Sequence, residues 1–121
     1  MAVLAVCGCG GPGPREERAE SAARAFETAL GASRYGQACA LLAPQTRQEV
    51  AQEEECGRAL AEEALPAARG KAVAEVYGRQ AMVRLRGDTL FLSQFGSGWK
   101  VVAAGCTARA DQPYDCQVKG S

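Results

Sequence analysis

Gln80-Ala81-Met82-Val83-Arg84-Leu85-Arg86-Gly87-Asp88-Thr89-Leu90-Phe91-Leu92-Ser93-Gln94-Phe95 reads as two runs joined by one turn. Ala81, Val83 and Leu85 alternate with Gln80, Arg84 and Arg86, the period of two that marks a strand with one covered face. Gly87-Asp88 is a two-residue hairpin signal, so Thr89 to Phe95 is expected to pair back across it. Gly96-Ser97-Gly98 makes the next turn, and Trp99, Val101 and Ala103 alternate along a further strand. Lys71 to Tyr77, rich in Val and Tyr, supplies the strand ahead. Four strands joined by tight turns predict an antiparallel meander with one apolar face to cover. The tail from Cys106 to Ser121 reads as a loop with a short edge strand at Tyr114 to Val118.

Residues ahead of the meander repeat at helical spacing. Pro14 suits a first turn, where its missing N–H has no helical partner anyway. Ala19, Ala22, Ala23, Phe26, Ala29 and Leu30 form an apolar stripe ending at Gly31, with Arg15, Glu16, Glu17, Arg18, Glu20, Arg24 and Glu27 mostly on the other face. Ser33 is a candidate cap for a second helix carrying Tyr35, Ala38, Cys39 and Leu42. Pro44 opens a third helical stretch, through Val50 and the acidic Gln52-Glu53-Glu54-Glu55 to Cys56, Ala59, Leu60 and Ala64. Pro66 and Gly70 close it. The expectation is an α+β fold, about three N-terminal helices on an antiparallel sheet of about four strands, in a single domain spanning 15–121.

A chain of 121 residues is one domain's worth. Its apolar share of 47% comes largely from Ala, Val and Leu, with three Phe, three Tyr, one Trp and no Ile, so each large side chain has a critical position. Fourteen basic and fourteen acidic residues cancel, leaving no long-range field to gather nucleic acid. The front half is mildly acidic and the back half mildly basic, as solvated faces would be. There is no His and no Asn. The usual general base near neutral pH and the commonest zinc ligand are therefore missing, and Asn-linked glycosylation is excluded.

Cys39, Cys56, Cys106 and Cys116 allow three pairings, which sequence alone does not distinguish. The local pairing is the economical one: Cys39 and Cys56 lie on apolar stripes of neighbouring helices, and Cys106 and Cys116 bracket one loop. Two bridges of this kind imply an oxidising compartment. A zinc site would favour close Cys pairs, whereas 16, 49 and 9 residues separate these four in succession. A redox enzyme would need a Cys-x-x-Cys, which does not occur.

Met1 to Val6 is a short apolar run leading into Cys7-Gly8-Cys9 and a Gly/Pro linker, so that 1–14 forms a separate tail. Six residues cannot span a bilayer, which takes about 20. The run resembles the end of a bacterial lipoprotein signal peptide, in which Cys9, with Gly8 before it, fits the lipidated position better than Cys7. The absence of a basic residue ahead of the run departs from that pattern and predicts an in-frame basic extension upstream. The rival is a disordered cytosolic N-terminus carrying a chance Cys-x-Cys.

Tyr35-Gly36-Gln37-Ala38-Cys39-Ala40-Leu41-Leu42-Ala43-Pro44-Gln45-Thr46-Arg47, Cys56, Gly98-Trp99-Lys100-Val101-Val102-Ala103-Ala104-Gly105-Cys106 and Pro113-Tyr114-Asp115-Cys116 resemble uncharacterised actinobacterial envelope lipoproteins. Their fold is the cystatin-like cone, shared with nuclear transport factor two and ketosteroid isomerase. That resemblance implies a strongly curved sheet and a helix-lidded cavity, for which Phe26, Tyr35, Tyr77, Phe91, Phe95 and Trp99 are candidate lining residues. It also implies a location in the cell envelope, lipid-anchored or secreted.

Fold alone lends the chain no reaction. Enzymes of that superfamily need acids or bases in the cavity, whereas Asp occurs only at Asp88, Asp111 and Asp115, in a turn and the tail, and Glu75 is the lone acid on a strand. The leading expectation is a noncatalytic exported module, without cofactor, that binds an envelope protein or a small apolar ligand. The alternative is an isomerase- or dehydratase-like enzyme using Tyr35, Tyr77 or Glu75, which requires a carboxyl with a raised pKa in an apolar pocket. A cystatin-type protease inhibitor would need a Gln-x-Val-x-Gly hairpin, which Gln117-Val118-Lys119-Gly120 does not supply.

Overall fold

The computed structural model describes residues 13–120. Helix α1 (Pro14–Gly31) starts with Pro14 in its first turn and presents Ala19, Ala23, Phe26, Ala29 and Leu30 to the core. Short helices α2 (Tyr35–Ala40), α3 (Pro44–Ala51) and α4 (Cys56–Glu62) follow. Strands β1 (Arg69–Tyr77), β2 (Gln80–Arg86), β3 (Asp88–Phe95), β4 (Gly98–Arg109) and β5 (Gln112–Lys119) pair in sequence order as one antiparallel sheet. The fold is thus α+β, with the helices N-terminal to the sheet.

Three local expectations are corrected. The third helical stretch is two helices, because the Glu55 side chain accepts the N–H groups of Gly57 and Arg58 and so caps a new helix, while Gln52 turns the chain at φ 50°. A side-chain acceptor at that position satisfies amides that would otherwise have no partner. Ser33 does not cap α2; Arg34 holds the cap position without a side-chain bond, and Ser33 sits at φ 58°. The expected edge strand at Tyr114 to Val118 is present but longer, as β5 from Gln112 to Lys119. Cys106 to Arg109, expected as loop, continue β4, and Asp111 at φ 58° turns β4 into β5. Pro113 is tolerated there because β5 is an edge strand with only one paired side.

Phe26, Leu60, Val83, Leu90, Leu92, Val101 and Val118 are fully buried and fill the space between helices and sheet. An irregularity in the β3–β4 pairing sets two β4 residues against one step of β3: Phe91 faces Ala103 and Leu92 faces Val101. The core register along β4 therefore passes from Trp99 and Val101 to Ala104 rather than to Ala103. At this step the α2–α3 connection docks on β4, with the Ala43 N–H donating to the Val101 carbonyl and the Val101 N–H to the Leu41 carbonyl. Thr46 adds a hydroxyl bond to the Val102 carbonyl at 2.8 Å.

Candidate functional site

Cys39 of α2 is bonded to Cys56 of α4, and Cys106 of β4 to Cys116 of β5, directly opposite it in the ladder. The first bridge ties the two short helices together where they pack, and the second closes the last hairpin. All four sulfurs are thereby in covalent bonds and none is a thiolate free to bind zinc. Two bridges point to an oxidising environment outside the cytosol. Among the described residues no helix is long and apolar enough to cross a membrane. Cys7 and Cys9, the candidate lipidation positions, lie outside the described residues.

The six aromatics proposed to line a cavity do not converge. Phe26 and Trp99 are buried in the core, and Tyr35 packs on its edge. Phe91 meets Tyr114 edge-on, with ring centroids 5.2 Å apart. Tyr77 is 66% exposed and Phe95 is 37% exposed. Ala74 and Val76 turn toward the core, so Glu75 and Tyr77 between and beyond them occupy the other, open face of β1. There the Tyr77 hydroxyl donates to Glu75 at 2.6 Å and Arg84 pairs with Glu75 at 2.8 Å. These two contacts hold the Glu75 carboxyl below its usual range, the reverse of what the enzyme alternative asked of it.

The enclosed acids are two others. Glu27, on α1, is only 3% exposed. One of its oxygens, Oε1, accepts the Ala68 N–H at 2.7 Å, and the other, Oε2, is buried without a partner among the described residues. Leaving such an atom unpaired costs about 1–3 kcal/mol. Burial, opposed by the Ala68 bond and reinforced by the charge of Asp88, pushes the Glu27 carboxyl up to about 7. Asp88, at the start of β3, is buried behind it and accepts three backbone N–H groups, from Thr89 at 2.8 Å, Gly105 at 2.9 Å and Cys106 at 3.0 Å. Burial raises its carboxyl too, against those three bonds.

Sequence reasoning set Glu27 among solvent-facing charges and Asp88 in a turn. The missed signal is spacing: Glu27 falls four after Ala23 and three before Leu30, on the stripe itself. Asp88, read from sequence as half of a turn, is already in β3 opposite Leu85 and lines up with Leu90 and Leu92 on the covered side.

Two grooves flank α1. The first, about 330 Å³, lies between α1 and the start of β1 and is lined by Arg24, Glu27, Thr28, Gly31, Arg69 and Leu85, among others. The second, about 470 Å³, runs between α1 and α2 over Ala25, Ala29, Ala32, Ala40 and Leu41, with Thr28, Arg34 and Gln37 beside them. The exposed Thr28 borders both. At the far end of α1, Arg15 holds the helix to the sheet: it donates to the Gly78 carbonyl and, at 2.8 Å, to Gln94, and its guanidinium lies 5.7 Å from the Trp99 ring centroid. Compared with protein-family models, with curated proteins and with solved structures, the chain matches none.

Proposed function

We propose that this chain is a noncatalytic exported module, anchored to the cell envelope by a lipid on Cys9, that binds a small apolar ligand in the groove between α1 and α2. The order of helices followed by an antiparallel meander agrees with a cystatin-like cone, but Phe26 and Trp99 fill the interior where a cone would keep its cavity. The observation that carries the reading is the α1–α2 groove itself. It is a shallow groove open to solvent, of small-molecule size, whose apolar lining of alanines and Leu41 has Thr28, Arg34 and Gln37 at its edge, the mix of apolar contact and a few polar groups that a ligand site uses. A volume near 470 Å³ favours a small molecule over a protein partner, which would need a broad surface. The two bridges support export.

Titration of the full chain with decanol, followed by calorimetry, tests the reading. Saturable binding of one equivalent, lost when Ala25→Phe fills the groove, is expected. Binding that does not saturate, or that survives the Ala25→Phe change, contradicts it.

A second reading rests on Glu27. A carboxyl near 7 in an enclosed site is what proton transfer near neutral pH requires, so the isomerase- or dehydratase-like alternative would use Glu27 rather than Glu75, Tyr77 or Tyr35. The rest of that groove, Arg24, Thr28 and Arg69 included, offers no second carboxyl or imidazole to act with Glu27, which places this reading behind the binding one.

A further inference from the structure

We propose that the groove between α1 and the start of β1 holds the carboxylate of a small amphipathic acid, with Arg24 and Arg69 facing its charge, Glu27 donating a hydrogen bond from Oε2, and the acid's apolar chain passing Thr28 into the α1–α2 groove. The inference rests on the reading of that second groove as the apolar binding site. Its own evidence is separate.

Glu27 Oε2 is buried and unpartnered among the described residues, and it belongs to a residue that lines the first groove. A protonated carboxyl there is a hydrogen-bond donor in want of an acceptor. Around it stand cations without anions. Arg24 makes only a long bond, 3.4 Å, to the Gly70 carbonyl. Arg69, at the start of β1, lines the same groove. Among the described residues neither of these arginines has an ion pair. A carboxylate meets both demands, accepting from Glu27 and pairing with guanidinium groups.

From β3, Asp88 favours the protonated form of Glu27; from β1, Arg69 lines the same groove; and Lys100 of β4 is engaged elsewhere, by the Ala40 carbonyl. Helix α2 brings no charged residue, only the hydroxyl of Tyr35. Thr28, exposed between the two grooves, is where the acid's chain would cross from one to the other.

Calorimetric titration of the full chain with decanoate and with decanol, at pH 6 and pH 8, tests the inference. Decanoate stays ionised across that range, so the titrating partner is Glu27. Decanoate should bind at least about tenfold tighter than decanol at pH 6, and its affinity should fall about tenfold by pH 8 as Glu27 loses its proton. Glu27→Gln should abolish that fall, and Arg24→Ala, an exposed change that does not touch the core, should narrow the preference for decanoate. Equal binding of the two probes would overturn the head-group inference and leave the apolar groove standing. An affinity for decanoate that rises with pH would overturn the role of Glu27. Failure of both probes to bind would overturn this inference and the proposed function together.

Discussion

Glu27 Oε1 accepts the Ala68 backbone N–H at 2.7 Å, joining the middle of α1 to the last residue before β1 across 41 positions of sequence. This bond sets the entry of the chain into the sheet, and it leaves the second carboxylate oxygen of this groove-lining residue, Oε2, buried with no partner among the described residues.

Stability should therefore fall as pH rises through the neutral range. The Glu27 carboxyl is held up to about 7 in the fold against 4.5 for the ordinary value, so the unfolded chain gives up its proton first. The stabilising contribution is complete below about pH 4.5, declines between 4.5 and about 7, and is gone above, a change of up to about 3 kcal/mol. The raised Asp88 adds a decline of the same sign. Urea unfolding from pH 5 to pH 8 should show this slope, and Glu27→Gln should flatten it. A parent protein whose stability rises over that interval would contradict the assignment.

Asp88→Ala should be among the most damaging single changes. It removes the acceptor of three backbone N–H groups, two of which, on Gly105 and Cys106, lie at the edge of the core. Leaving buried donors unpaired costs about 1–3 kcal/mol each, so a loss above about 2 kcal/mol is expected by chemical denaturation. A loss below about 0.5 kcal/mol would mean that these amides find other partners.

Gly105→Ala should destabilise through sterics and backbone together. Gly105 sits at φ 66°, and an added Cβ would come within 2.8 Å of the Leu65 side chain and 3.1 Å of Gln117. The expected cost is about 1–3 kcal/mol, read as a lowered thermal midpoint. An unchanged midpoint would show that β4 relaxes freely at this point.

Arg15→Ala should loosen the start of α1 without unfolding the chain. The change removes bonds to the Gly78 carbonyl and Gln94 and the guanidinium over Trp99. A loss of about 1 kcal/mol and a shift in Trp99 emission are expected, since the indole loses its charged cover. Identical emission spectra for parent and variant would contradict the contact.

The parts of this fold that could be read from sequence are those where one local signal decides the outcome. Gly87 and the alternation on either side fixed the β2–β3 hairpin, although the two-residue turn falls at Arg86-Gly87, one step earlier than expected, with Asp88 already paired to Leu85. Ala19 to Leu30 fixed the buried face of α1. The split between α3 and α4 was not legible, because Glu55 acts as a cap within a run of glutamates that reads as solvated surface. Strand β5 was legible only as a short edge strand at Tyr114 to Val118; its full length, Gln112–Lys119, was masked by Pro113 and weak alternation, both tolerable at an edge. The enclosed acids were missed because Glu27 stands beside charged neighbours and Asp88 beside a glycine, where their residue types suggest solvent. Burial in each case is decided by tertiary contacts: β1 arriving over α1, and β4 arriving over the start of β3.

The placement of the chain outside the cytosol depends on its covalent bridges, each expected to contribute about 3 kcal/mol. Peptide mapping of the unreduced protein, with free thiols blocked before digestion, is the most direct measurement. Cys39–Cys56 and Cys106–Cys116 peptides, with none of these four cysteines blocked, are the predicted result. Four blocked cysteines at these positions, or a peptide joining either helix to the final hairpin, would contradict it.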